Sequence, residues 1–235
     1  MSIRRTPEDT YPVFFKTVRD LVKDEARFRD VMGKQDFPPF CTFLFSACKM
    51  RLLDDTSVIL DVYHQKLEDM QVAGNLKTHI RLVIQSMLSV NMAVGDSPAV
   101  SPAYWESLFQ TLALSIEQRV QEDPDWKLHL LPTSNLLSLM AAKQEFFEDS
   151  TLIDRIYNLV TIGKPNVEDG VTTATDQDSK TMNKLIAQME KFRTPEQLNL
   201  LPNLASHIYI SCAKLKVSDQ AFWHDFDDLI LSIFP

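Results

Sequence analysis

Five histidines and three cysteines, with a few clustered acids and lysines, are the side chains of this 235-residue chain whose types and spacing could do chemistry. His64, His79, His129, His207 and His224 are scattered, and none has the His partner four residues on that a zinc-binding helix requires. No Cys-x-x-Cys pair occurs, and His207 and Cys212, five apart on one predicted helix, point to different faces. Gly163 and Gly170 are the only close glycines, and no Gly-Lys-Ser/Thr follows them, so a phosphate-cradling loop fails. Asp225, Asp227 and Asp228 would suit a divalent cation only if their oxygens converged on one point. On a helix that buries Phe222, Trp223, Phe226, Leu229 and Ile230 they form the wet face instead. No catalytic, cofactor-binding or metal-ligating set is expected, and the chain reads as a non-enzyme.

Electrostatic binding is the chemistry left. Lys180, Lys184, Lys191, Arg193, Lys214 and Lys216 stand against only Glu190 and Glu196, a local +4 (six cations less two acids) in a chain of net charge −8. Such a stretch, residues 180–216, can track the phosphates of single-stranded RNA, and these six residues are the candidate RNA or partner contacts. Two facts weigh against a phosphate tracker: the helix dipole alone favours lysine near a C-terminus, and such proteins interleave cations with stacking aromatics. Lys49 and Lys143 hold matching places in the repeat described next, with Lys214 one residue off, so stacking of repeats would line the three along one edge.

The elements that position these residues come from an internal repeat. Leu128-His129-Leu130-Leu131-Pro132 returns as Leu198-Asn199-Leu200-Leu201-Pro202, and the same offset of seventy pairs Ala142 with Cys212 and Ile156 with Phe226. An offset of ninety-four places Pro38, Ala47-Cys48, Asp55 and Ile59 on Pro132, Ala141-Ala142, Asp149 and Ile153. Each copy predicts a helical hairpin. Its proline occupies the first turn of one helix, where the missing N–H costs nothing. Asp55, Asp149 or Asp219 then caps the second helix. The small pairs Ala47-Cys48, Ala141-Ala142 and Ser211-Cys212 are expected where the two helices of a hairpin cross closely.

Elsewhere the apolar spacing predicts one helix from Tyr11 to Met32 stopped by Gly33, another from Leu76 to Val94, and a third after Ser101-Pro102. Residues 163–178 lack periodicity and read as a flexible, solvated acidic loop; eight acids face Arg155 and Lys164 between Glu145 and Asp178. Thr194-Pro195-Glu196-Gln197 matches a capping box. The expected architecture is all-α: a single domain over residues 1–235, a helical-hairpin repeat solenoid of the HEAT or armadillo kind with about nine helices.

Composition bounds the rest. The content of 45% hydrophobic residues can supply a core, and only five glycines argue against a turn-rich β fold. Three cysteines make no disulfide framework, which suits a reducing compartment. No apolar run approaches the roughly 20 residues that span a bilayer, so no membrane partner is expected. The first ten residues mix Arg4 and Arg5 with Glu8 and Asp9 and make a poor presequence; either there is none or it is missing here. The apolar end at residues 229–235 is expected to dock on another subunit.

The segment from Phe192-Arg193-Thr194-Pro195-Glu196-Gln197-Leu198 through Ser211-Cys212-Ala213-Lys214-Leu215, with residues 219–230 after it, resembles the helical-repeat units of organellar RNA-metabolism proteins. These are the FAST-kinase, RAP-domain and octotricopeptide types, in which a helix ends in small residues and Lys-Leu before turning at an aspartate. The style is also similar to helical-repeat subunits of trypanosomatid mitochondrial RNA-editing and ribosome-assembly complexes. No RAP domain follows, and the acidic balance departs from an RNA binder. The resemblance implies a mitochondrial protein that touches RNA or scaffolds RNA-handling proteins; without it, a cytoplasmic location is the expectation. The function expected is a non-enzymatic scaffold or adaptor whose partners are other protein subunits, held through the repeat surface and the C-terminal helix. The alternative is direct binding of single-stranded RNA by residues 180–216.

Overall fold

The computed structural model describes residues 12–50, 52–53, 57–94, 100–124, 126, 128–144, 152, 155–156, 201–216, 223–224, 226–227 and 231. These contain eight α-helices, one 3-10 turn and no strand: α1 (Pro12–Lys23), α2 (Glu25–Gly33), α3 (Phe37–Lys49), α4 (Ser57–Val72), the 3-10 turn (Leu76–Thr78), α5 (Ile80–Val94), α6 (Pro102–Glu122), α7 (Leu130–Lys143) and α8 (Leu201–Lys214). Prolines mark the starts. Pro12, Pro38, Pro102, Pro132 and Pro202 all lie in first turns, where a residue without an N–H leaves no hydrogen bond unmade. The chain divides into two compact units, Met1–Ser101 and Pro102–Pro235.

In the first unit α1 packs on α2, α2 on α4, and α3 on α5, so that neighbours in space beyond α2 are alternate helices in sequence. The aromatic run of α3 explains its central place. Phe37 and Phe40 stack on Tyr63 of α4 at 6.5 and 6.4 Å, and Phe43 meets Phe28 of α2 at 5.6 Å. The predicted helix from Tyr11 to Met32 is two helices. Asp24 interrupts it, its carboxylate accepting the Arg27 N–H at 3.2 Å as an N-cap, an alternative that short polar side chains offer to helical backbone. Gly33 ends α2 as expected. Gly74 ends the α4 region at φ +69°: its N–H donates to the Gln71 carbonyl and the Asn75 N–H to the Met70 carbonyl, the paired bonds of a left-handed helix stop. The predicted helix from Leu76 to Val94 is likewise divided, because Thr78 turns its hydroxyl onto the Asn75 carbonyl and tightens the first turn.

In the second unit α6 is buried on most of its circumference, and α7 packs against α8. α7 and α8 carry the segments that the offset of seventy aligns, and a seam that includes two serines joins them. The Ser138 and Ser211 hydroxyls lie 3.2 Å apart, and Ser211 donates to the His207 carbonyl of its own helix. Ser211, of the small pair Ser211-Cys212, thus meets α7; the second helices of these two hairpins, against which the small pairs are expected to pack, lie largely outside the described residues. Alignment by seventy also slips here. Cys212 is buried and Ala142 exposed, while Ala141 is buried like Cys212, so the equivalence of buried positions runs at seventy-one. A bidentate pair, Arg155 to Glu117, ties helical residue 155 to α6. The expected caps Asp55, Asp149 and Asp219, the loop 163–178 and the capping box at Thr194 lie outside the described residues.

The seam yields a contrast that tests the register. Ser211→Leu is expected to overpack the α7–α8 contact and cost about 1–3 kcal/mol. Ala142→Leu, on an exposed position, is expected to change stability by less than about 0.5 kcal/mol. Equal denaturant midpoints for the two variants would show that the seam is misplaced.

Candidate functional site

Of the six cations singled out in the sequence, Lys180, Lys184, Lys191 and Arg193 lie outside the described residues. Lys214 and Lys216 are described, and both are exposed at the C-terminal end of α8. The lysine edge drawn from the repeat does not form. Lys49 and Lys214 are exposed, but Lys143 is 1% exposed and its Nζ sits 5.0 Å from the centre of the Trp105 ring. The last turn of α7 turns that ammonium onto the aromatic face of α6, a cation–π contact favoured by the ring quadrupole. Dispersal of the other cations is similar: Arg29 pairs with Asp61 at 2.8 Å, Lys34 with Asp30, and Arg119 with Asp123 at 3.5 Å.

The first unit holds a polar cluster that sequence reading missed. Tyr63 and Ser86 hydroxyls meet at 2.6 Å with both residues wholly buried, and Ser86 donates to the Val83 carbonyl at 2.8 Å. Cys41, also wholly buried, hydrogen-bonds Ser86, and burial pushes its thiol up to about 12. Lys66, one turn after Tyr63, donates to the Gly33 carbonyl at 3.0 Å and to the Gln35 carbonyl, with its Nζ 5.4 Å from the Phe40 ring centre. Desolvation lowers its pKa, against which Asp36 and Asp69 pull upward. The chemistry of this set is cohesion. It joins α3, α4 and α5 at one level, and Lys66 supplies the donors that the end of α2 lacks. A thiol held protonated and wholly buried is a poor nucleophile. Sequence spacing could not reveal the cluster, because its members come from three helices.

Among the described residues the outer face of α8 is accessible. One stripe, Ala205, Ile208, Ser211 and Cys212, is buried. A second stripe, Ser206, Tyr209, Ile210 and Ala213, recurs at the same three-and-four spacing and is exposed throughout. Tyr209 is 44% and Ile210 53% exposed. The tyrosine is nevertheless held, edge-on to Trp223 at 5.1 Å and tilted on Phe226 at 5.8 Å. α8 carries no acid, and Lys214 and Lys216 stand at its end. Lys216 adopts φ 55°, with its N–H on the Ala213 carbonyl at 3.1 Å, in the helix-stop position that glycine fills most easily. A lysine there costs about 1 kcal/mol relative to glycine. His207 is exposed and Cys212 buried, so the two do face apart, and Asp227 is exposed beside the buried Phe226. Asp225 and Asp228 lie outside the described residues. Among the described residues no three His, Cys, Asp or Glu side chains gather as metal ligands, and no helix is long and apolar enough to cross a membrane.

The described fold places the chain in the all-α class. No protein-family model, curated protein or solved structure matches it.

Proposed function

We propose that the chain is a non-enzymatic helical-repeat scaffold, a subunit that holds other proteins of a larger assembly on exposed helix faces. The outer stripe of α8 carries the proposal: an exposed tyrosine already fixed by two rings, beside an exposed isoleucine, is the kind of anchor on which protein interfaces concentrate their binding energy. Stacked hairpins are part of the same proposal. Pairing of α2 with α4 and α3 with α5, and of the matching helices α7 and α8, is what successive repeats laid in layers would produce. The resemblance adds a setting, an organellar and specifically mitochondrial assembly that handles RNA. A second proposal, direct binding of single-stranded RNA, draws on the exposure of Lys214 and Lys216.

Affinity purification of the tagged full chain from its cell of origin tests both. Ile210→Asp and Ile210→Lys, on a position 53% exposed, are expected to keep the melting temperature within about 2 °C and to lose the co-purifying proteins. Capture of those proteins is expected to survive high salt, whereas each phosphate contact of an RNA complex contributes about −0.7 to the slope of log affinity against log salt. Partners retained by both variants would sink the scaffold proposal, and partners released together by nuclease and salt would favour RNA.

A further inference from the structure

We infer that the outer face of α8 receives an amphipathic helix of a partner protein, that the partner helix is acidic in its first turn, and that it runs antiparallel to α8. This rests on the scaffold proposal and adds the chemistry and direction of the partner. Three observations carry it. The exposed stripe Ser206, Tyr209, Ile210, Ala213 has helical spacing, small residues at its ends and large ones between, a surface whose ridges another helix can fit. Its rings are fixed before any partner arrives, because Tyr209 leans on Trp223 and Phe226. Charge then chooses the partner. α8 has no acid, and two exposed lysines, Lys214 and Lys216, stand at one end of the stripe, in a chain whose net charge is −8. Acids gathered over that end meet both lysines, and acids are most comfortable in the first turn of their own helix, where the dipole is positive. An acidic first turn above the C-terminal end of α8 makes the two helices antiparallel. Single-stranded nucleic acid would find one ring and two cations there, but it is the weaker fit, since the Tyr209 ring is already engaged by Trp223 and Phe226 and Ile210 and Ala213 offer neither a stacking face nor a charge.

A display library of 18-residue helices tests this without knowledge of the natural partner. Each member carries a fixed apolar stripe, and the flanking positions of its first and last turns are randomised among Glu, Lys and Ser. Panning against the full chain is expected to enrich Glu over Lys in the first turn only. In the Lys214→Glu, Lys216→Glu double variant the preference is expected to reverse. The best selected peptide is expected to bind that variant about tenfold more weakly, the scale of two exposed ion pairs. Ile210→Ser is expected to abolish binding of every selected peptide. Selection of Lys or Ser in the first turn, Glu enrichment in the last turn, recovery of no binder, or displacement of the peptide by an equimolar uridine 20-mer would each overturn the inference. Loss of natural partners by Ile210→Asp alongside any of these results would leave the scaffold proposal standing while the acidic-helix inference fell.

Discussion

Taking the protein from pH 8 to pH 11 is expected to weaken the second unit by about 3 kcal/mol through the thiol of Cys212, and the first by up to about 5 kcal/mol through Cys41 and the half-buried Cys48 together, less the opposing effect of Lys66. Burial pushes Cys41 and Cys212 up to about 12 and Cys48 up to about 11, from an ordinary value of 9.0. A thiol whose folded pKa is raised favours the folded state fully below pH 9.0, because both states then hold the proton. Above that value the unfolded chain releases its proton and the folded chain does not, so stability falls until pH passes the folded value near 12. Each pH unit in that window costs about 1.4 kcal/mol per fully buried thiol, against a total of about 5–15 kcal/mol for an ordinary domain. In the first unit Lys66 works in the opposite sense: its pKa is lowered, so between the folded value and 10.5 the unfolded state binds more protons and rising pH stabilises. Denaturant unfolding at pH 8, 9.5 and 11, in reductant, for the wild type and for Cys41→Ala and Cys212→Ala isolates the thiols from other titrations. Each variant is expected to lose part of the alkaline slope. Parallel slopes in all three proteins would mean that these sulfurs are not buried as described.

How far the sequence carries this fold depends on whether a feature is local. Proline in a first turn acts through its own ring and missing N–H, and Pro38, Pro102, Pro132 and Pro202 each open a helix as read. Gly74 is a stop for an equally local reason, its left-handed φ of +69°. Asp24 is local too, yet it was hidden inside an amphipathic run whose apolar spacing continues across the break. The repeat is a different matter, because one residue of slip rotates a helix position by about 100° and carries a buried site to solvent. That is what separates Ala142 from Cys212. The same sensitivity explains the lysines: Lys49 is exposed and its counterpart Lys143 is buried, since the fate of a long cationic side chain depends on whether a ring such as Trp105 stands beside it. Of the candidate site, Lys214 and Lys216 were legible as charge. The exposed stripe of α8 was not, because Tyr209 and Ile210 have the composition of core and only neighbouring elements decide which of two apolar stripes is covered.

Trp105→Ala is expected to cost the second unit about 3–5 kcal/mol, and Trp105→Phe about 1–2 kcal/mol. The indole is 1% exposed near the start of α6, a helix that buries Leu108, Phe109, Leu112 and Ile116 on the same body. Truncation to alanine leaves a cavity the size of two rings, and it also strips Lys143 of the aromatic face on which its ammonium rests. Both losses fall on one variant, which is why it is the largest single-residue effect expected in the second unit. Trp105→Phe separates the two contributions: a smaller ring still offers a face to the ammonium, so a loss of about 1–2 kcal/mol is expected, dominated by volume. The order, Ala costlier than Phe, is read from urea midpoints at constant m-value. Equal costs for Trp105→Phe and Trp105→Ala would show that neither the volume of the ring nor the face it offers Lys143 sets the cost, and that Trp105 does not fill the space between α6 and α7 as described.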